Sequence, residues 1–275
     1  MNNLNFVFFG TPDVASKTLE ILRENGYLPS LIITSPDKPQ GRKMILTPSP
    51  VKIWAEKNNI PYLQPEKIDA NFIEEFKKYN SDLSIVVAYG KILPEELIKM
   101  PKLGTINIHY SLLPKYRGAS PVEASLLNGD EETGVSIQQM EYKLDSGPII
   151  DEEEVEIDIN DTKYELRDKL IKTGGDLLCK ILPNIIDQKI KAVIQNESQA
   201  TFCKKIKKED GEINPNGNAK ENWNKYRAYL GWPGVYFFKE GKRIKITKAK
   251  YENDSFTIER VIPEGKKEID YSILK

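Results

Sequence analysis

The stretch LSIVVAYG, residues 83–90, decides the fold, because five consecutive apolar or small residues of strand length, closed by a glycine, read as a strand buried on both faces rather than one wetted on alternate positions. Outward from it the same pattern recurs. LNFVFFG (4–10), LPSLIIT (28–34) and GTINIHY (104–110) are further short apolar runs. Helical patterns separate them: Asp13 or Thr11 is placed to cap a helix reaching about residue 25, IDANFIEEFKKYN (68–80) is amphipathic, and Pro94 opens a short helix over PEELIKM. Buried strands alternating with helices imply an α/β fold, a doubly wound, mostly parallel sheet covered on both faces.

Downstream, GVSIQQM (134–140) and GPIIDEEEVEI (147–157) read as paired strands, and residues 162–190 as one long helix in which Gly174, Gly175 and Pro183 signal breaks or close packing. A polar segment from Gln195 to Asn218 suggests a domain boundary near residue 200. Residues 1–200 then form the larger domain. Residues 201–275 form a small β module, with a helix over AKENWNKYRAYL, a turn at GWPG and strands at VYFF, KRIKITKAKY and FTIERVI. That module carries 17 Lys or Arg against 11 Asp or Glu, whereas the first 200 residues carry 23 against 30, although the whole chain is nearly neutral at -1. Such asymmetry suits either lysines that simply keep the strands soluble or an acidic catalytic body beside a tail that meets phosphates.

Composition narrows the chemistry. With 29% charged and 39% hydrophobic residues and a mean hydropathy of -0.49, a water-exposed protein is expected. No apolar run approaches the roughly 20 residues of a bilayer span, and Met1 leads into a strand without a secretory leader, so the cytoplasm is the expected compartment. A single histidine and two cysteines without metal spacing predict no metal site. A dinucleotide site is disfavoured too, since the first strand ends in FFGTPDVA, with one glycine and no G-x-G-x-x-G.

That one histidine marks the candidate site. In I-N-I-H, side chains alternate, so Asn107 and His109 share one side of the strand, at the end where ligands enter open parallel sheets. Asp145, in YKLDSGPII, follows a strand and precedes a glycine turn; a carboxylate there is able to steady an imidazole through a proton transfer, although an ordinary turn aspartate looks the same locally.

INIHYSLLPKYRG (106–118) with the later LDSG (144–147) resembles the signature of the folate-dependent formyltransferases: Asn, His and a later Asp around an S-L-L-P turn. The resemblance implies transfer of a formyl group from 10-formyltetrahydrofolate to an amine without a metal, with Asn107, His109 and Asp145 catalytic. It also implies that Ser111, Leu112, Leu113 and Pro114 contact the folate, and that the backbone around AYGKILP (Tyr89, Gly90, Ile92) lines the pterin slot. Donors are needed where charge grows on the formyl oxygen; Asn107 offers an amide N–H, and His109 a ring N–H or imidazolium. Arg117 either holds its loop or reaches a carboxylate.

The trio alone does not select the amine. FFGTPDVASKTLEIL, the proline-rich insert TSPDKPQGRKMILTPSPVK (34–52), VVAYGKILP and KIKKEDGEI resemble, in order and spacing, the members of the family that act on initiator methionyl-tRNA, over about residues 5–250. The resemblance thus implies translation initiation as the setting and tRNA contacts from Lys38, Arg42, Lys43 and Lys207. A formyltransferase for an amino-sugar nucleotide is the nearest alternative, and a non-catalytic RNA-binding relic of the scaffold a more distant one. A monomer is expected. Departures from the family pattern are Tyr110, Lys143 where a glycine commonly stands, and a C-terminal barrel of OB type that looks shortened between Tyr251 and Pro263.

Overall fold

The structure is a computed structural model and describes residues 4–41 and 43–274. The chain divides into two compact units. The first comprises residues 1–117, 134–155 and 169–200; the second comprises 118–133, 156–168 and 201–275. The second unit is therefore discontinuous in sequence, which a boundary drawn by composition near residue 200 does not reveal.

Strands in chain order are β1 (Phe6–Gly10), β2 (Leu31–Ile33), β3 (Lys38–Gln40), β4 (Ile45–Thr47), β5 (Tyr62–Leu63), β6 (Leu83–Val87), β7 (Thr105–His109), β8 (Arg117–Gly118), β9 (Glu132–Gln139) and β10 (Ile149–Glu156). A seven-stranded sheet has the order β10-β9-β7-β6-β1-β2-β5. From β5 through β7 all pairings are parallel, and β9 joins β7 antiparallel. The expected mostly parallel doubly wound sheet is present. LSIVV is buried at every position, as is FVFFG, because helices cover both faces.

The helices are α1 (Asp13–Glu24), α2 (Pro50–Lys57), α3 (Ala70–Lys77), α4 (Glu95–Lys99), α5 (Pro121–Asn128), α6 (Lys163–Ile186) and α7 (Ala219–Tyr229). α1 starts after Pro12 with no side-chain cap, so neither Thr11 nor Asp13 caps it. α6 runs unbroken through its two glycines. They are there for close packing: a Cβ at Gly174 would come within 3.1 Å of Ile108 and Val135, and one at Gly175 within 2.6 Å of Ile21. α6 thus presses on the apolar side of β7 and β9, leaving their opposite side for polar residues.

The proline-rich insert has strand structure of its own. β3 and β4 pair antiparallel from Lys38↔Thr47 to Gln40↔Ile45, so the segment is a hairpin. Gly41 at φ 68 supplies the left-handed turn that a proline-rich reading does not disclose.

In the second unit, β11 (Phe202–Cys203) precedes α7, and β12 (Val235–Lys239), β13 (Lys242–Glu252), β14 (Ser255–Pro263) and β15 (Ile269–Asp270) form a four-stranded antiparallel sheet in that order. This is the form taken by the barrel-like module. Asn253 and Asp254, at φ 49 and 56, make the two-residue turn between β13 and β14. Trp223 of α7 stacks on Tyr226 and Tyr251 with ring centroids 5.4 and 6.2 Å apart. No helix among the described residues is long and apolar enough to cross a membrane.

Candidate active site

β7 positions the site. Its antiparallel register with β9 sets Asn107 opposite Gln138 and His109 opposite Ser136, so four polar side chains rise from one side of two adjacent strands. The other side carries Ile106, Ile108 and Ile137, all buried against the helix layer. Asn107 is half-buried, whereas His109 is only 5% exposed.

One hydrogen bond fixes the histidine's tautomer. Nε2 lies 3.0 Å from the carbonyl oxygen of Tyr116, and a carbonyl only accepts, so Nε2 carries the hydrogen and donates. Nδ1 then faces Oδ2 of Asp145 at 3.8 Å. Burial pushes the imidazole below its ordinary 6.5, with the Asp145 charge and the Tyr116 carbonyl opposing that shift. The neutral ring therefore presents a lone pair at Nδ1, so two acceptors, Nδ1 and the carboxylate, flank a position suited to a group that brings its own protons.

Asp145 is delivered by a tightly held loop. Its φ is 49, in the left-handed region that aspartate tolerates better than most residues. Gln195 donates from Nε2 to the carbonyls of Asp145 and Gly147, at 3.0 and 2.7 Å. Its Oε1 accepts from Nε and Nη2 of Arg117, at 3.0 and 2.7 Å, and Arg117 is fully buried. Nη2 of Arg117 also donates to Glu197 at 2.8 Å, and Lys143 reaches the other oxygen of Glu197 at 2.9 Å. Both alternatives for Arg117 are thus realised: it braces the loop through Gln195 and pairs with a carboxylate. The two cations hold the Glu197 carboxyl down at about 2.

The S-L-L-P turn is built from within. Ser111 is fully buried and donates to the Lys115 carbonyl at 2.6 Å; Leu113 N donates to Ser136 Oγ at 2.9 Å. Ser111 and Leu113 therefore shape the turn, and the half-buried Leu112 and Pro114 are the surfaces it offers. Leu112 rests on Gly134, where a Cβ would come within 2.4 Å of it. At the end of β6, Tyr89 is a core residue: its ring meets Phe9 edge-on at 5.5 Å, and burial pushes its phenol up to about 12. Gly90 and Ile92 are exposed, Ile92 to 80%.

Asn107, His109 and Asp145 thus come together in the first unit. Lys38 and Lys43 are exposed on the hairpin, and Arg42 lies outside the described residues. Lys207 is exposed in the second unit. Tyr110 is buried. Among the described residues, no cluster of His, Cys, Asp or Glu is arranged to hold a metal ion. Sequence reasoning missed Gln138, Ser136 and Gln195. Alternation in GVSIQQM carries a signal for the first two, since Ser136 and Gln138 share a face; Gln195, in a polar connecting segment, has none.

Comparison with known proteins agrees with this architecture. Residues 3–182 match the family described as formyl transferase, and residues 205–272 match the formyl transferase C-terminal domain. The chain is 45% identical over 249 residues to the methionyl-tRNA formyltransferase of Sulfurihydrogenibium sp. (strain YO3AOP1), covering 90% of this chain and 80% of that protein. It is 40% identical to the enzyme of the same name from Staphylococcus aureus (strain MW2), covering 89% and 78%. Among solved structures, an N-formyltransferase from Helicobacter canadensis, in complex with folinic acid and dTDP-3-aminofucose, shares the fold with TM-score 0.70 at 22% identity over 91% of this chain and 88% of that one. Methionyl-tRNA formyltransferase from Clostridium thermocellum shares it with TM-score 0.64 at 15% identity over 97% and 99%. With both family models matched in order and a relative 45% identical over nine-tenths of this chain, the chain belongs to the formyl transferase family.

Proposed function

We propose that this chain transfers the formyl group of 10-formyltetrahydrofolate to the α-amino group of initiator methionyl-tRNA, with Asn107, His109 and Asp145 at the reacting atoms. The observation that carries the reading is the meeting of His109 and Asp145, 3.8 Å apart, beside Asn107 at the exit of a parallel strand. That donor set fits a formyl donor, which needs a hydrogen-bond donor for its oxygen and an acceptor for the proton shed by the amine. When bound, 10-formyltetrahydrofolate supplies the formyl carbon.

An α-amino group titrates at about 8, so a sizeable fraction is already a neutral nucleophile at physiological pH. As the amine bonds to the formyl carbon, charge grows on the formyl oxygen, and the Asn107 amide is the fixed donor toward it. Nδ1 of His109 takes the proton that the amine sheds; Asp145 stabilises the resulting imidazolium. His109 then returns the proton to the donor nitrogen as the bond from that nitrogen to the formyl carbon breaks and the oxyanion re-forms the carbonyl, which balances the transfer. The ring donates from Nδ1 only after it has been protonated, because Nε2–H is committed to Tyr116.

Leu112, Pro114, Gly90 and Ile92 are assigned to the folate walls, with Ser111, Leu113 and Tyr89 supporting them from beneath. Methionyl-tRNA is favoured as acceptor by the relatives that carry that name at 40–45% identity. The hairpin with Lys38, Arg42 and Lys43, and Lys207 of the second unit, are assigned to phosphate contacts. Residues 1–200 are read as the catalytic domain and 201–275 as an accessory β module. The three reacting groups lie in one unit of one chain and need no second copy, so the enzyme is read as a monomer, with the cytoplasm as the compartment of its tRNA substrate. The test is direct: supply 10-formyltetrahydrofolate with either methionyl-tRNA or a dTDP-linked amino sugar. Formylated methionyl-tRNA is expected, and formylation of the sugar alone refutes the proposal.

A further inference from the structure

We infer that Gln138 is a positioning residue that aims the Asp145 carboxylate, an inference that rests on the reading of Asp145 as part of the site. Gln138 is 2% exposed and lies opposite Asn107 in the pairing of β7 with β9, so its side chain rises from the polar side of the sheet. Its Nε2 donates to Oδ1 of Asp145 at 3.2 Å. The other carboxylate oxygen, Oδ2, is thereby the one turned toward Nδ1 of His109. An amide rotated the opposite way would set Oε1 against a carboxylate oxygen, acceptor against acceptor, so the charge on Asp145 fixes the amide's direction.

That direction has a consequence for Oε1. It is buried and has no hydrogen-bond partner among the described residues. The gain from a hydrogen bond to a charged group and the cost of burying an unpartnered carbonyl are of the same size, so the amide adds little to stability. A methionine would fill similar space without either polar atom. What the glutamine contributes is control of the carboxylate's orientation: Gln195 holds the backbone of the Asp145 loop, and Gln138 reaches the carboxylate itself from the sheet.

The experiment is a double-mutant cycle on the full chain, with 10-formyltetrahydrofolate and methionyl-tRNA as substrates. Gln138→Met is expected to melt within about 4 °C of the wild type. Its kcat should nonetheless fall about tenfold to a hundredfold, with the folate KM changed less than about twofold. In an Asp145→Ala background the same substitution should cost less than about twofold more, because its route to the chemistry is gone. Gln138→Glu, which keeps the shape but sets a second carboxylate against Asp145, should lose at least as much activity while remaining folded. A folded Gln138→Met or Gln138→Glu with wild-type kcat, alongside a slow Asp145→Ala, overturns the inference and leaves the proposed reaction standing. An equal loss in the wild-type and Asp145→Ala backgrounds also overturns it. Wild-type turnover in Asp145→Ala alone identifies a different failure, that of Asp145 itself, and removes the inference with it.

Discussion

Gly147→Ala tests how finely the Asp145 loop is placed. A Cβ at this position would stand 1.7 Å from the Gln139 carbonyl oxygen, where real Cβ atoms essentially never come closer than 3.0 Å, so the two segments must part by at least the 1.3 Å difference. Both are pinned. Gln139 N donates to the Pro148 carbonyl at 2.9 Å, and Gln195 holds the carbonyls of Gly147 and Asp145. Relief therefore moves the loop that carries the carboxylate, two residues away, and stretches the separation of Oδ2 from Nδ1 from 3.8 Å to roughly 5 Å. Misplacement by about 1 Å costs on the order of a hundredfold in rate, or about 2.7 kcal/mol of barrier. Overpacking costs about 1–3 kcal/mol of stability, which leaves a domain with the ordinary 5–15 kcal/mol folded. Steady-state formylation kinetics on protein verified by its thermal melt should show kcat down about a hundredfold. A folded Gly147→Ala enzyme with wild-type kcat would refute the reasoning.

Three further expectations follow from the same geometry. Asn107→Ala should lower kcat by roughly a hundredfold or more, the usual loss for one donor to a developing oxyanion, with its melting temperature little changed. Burial holds the folded His109 pKa below the unfolded 6.5, so this residue's contribution to stability is present above 6.5 and lost as pH falls through the folded value. The imidazole, the only one in the sequence, should titrate by NMR with a midpoint below 6.5 and move lower still in Asp145→Asn, since the Asp145 charge is one of the two groups that raise it; a midpoint above 6.5 contradicts this. Gln195→Leu takes the acceptor from two donors of the buried Arg117 guanidinium, whose Nη1 already lacks a partner among the described residues. Urea unfolding should register a loss of about 3 kcal/mol.

How far the sequence reaches depends on the range of the physics involved. Burial periodicity and strand alternation are local, so LSIVVAYG and its companions prescribed a parallel sheet, and I-N-I-H placed Asn107 and His109 on one side of a strand before any neighbour was known. Asp145 was a candidate from its glycine turn and from family resemblance. The hairpin form of the insert, the discontinuous second unit and the bracing of the Asp145 loop depended on pairings that local patterns do not encode. Gln195 finds Arg117 from 78 residues away, and only the register of β7 with β9 sets Gln138 opposite Asn107. The tautomer of His109 is the sharpest case: it follows from one carbonyl, that of Tyr116, which the S-L-L-P turn carries back beneath the ring. A hydrogen bond's direction is a property of two atoms in space, and the chain has to fold before those atoms meet.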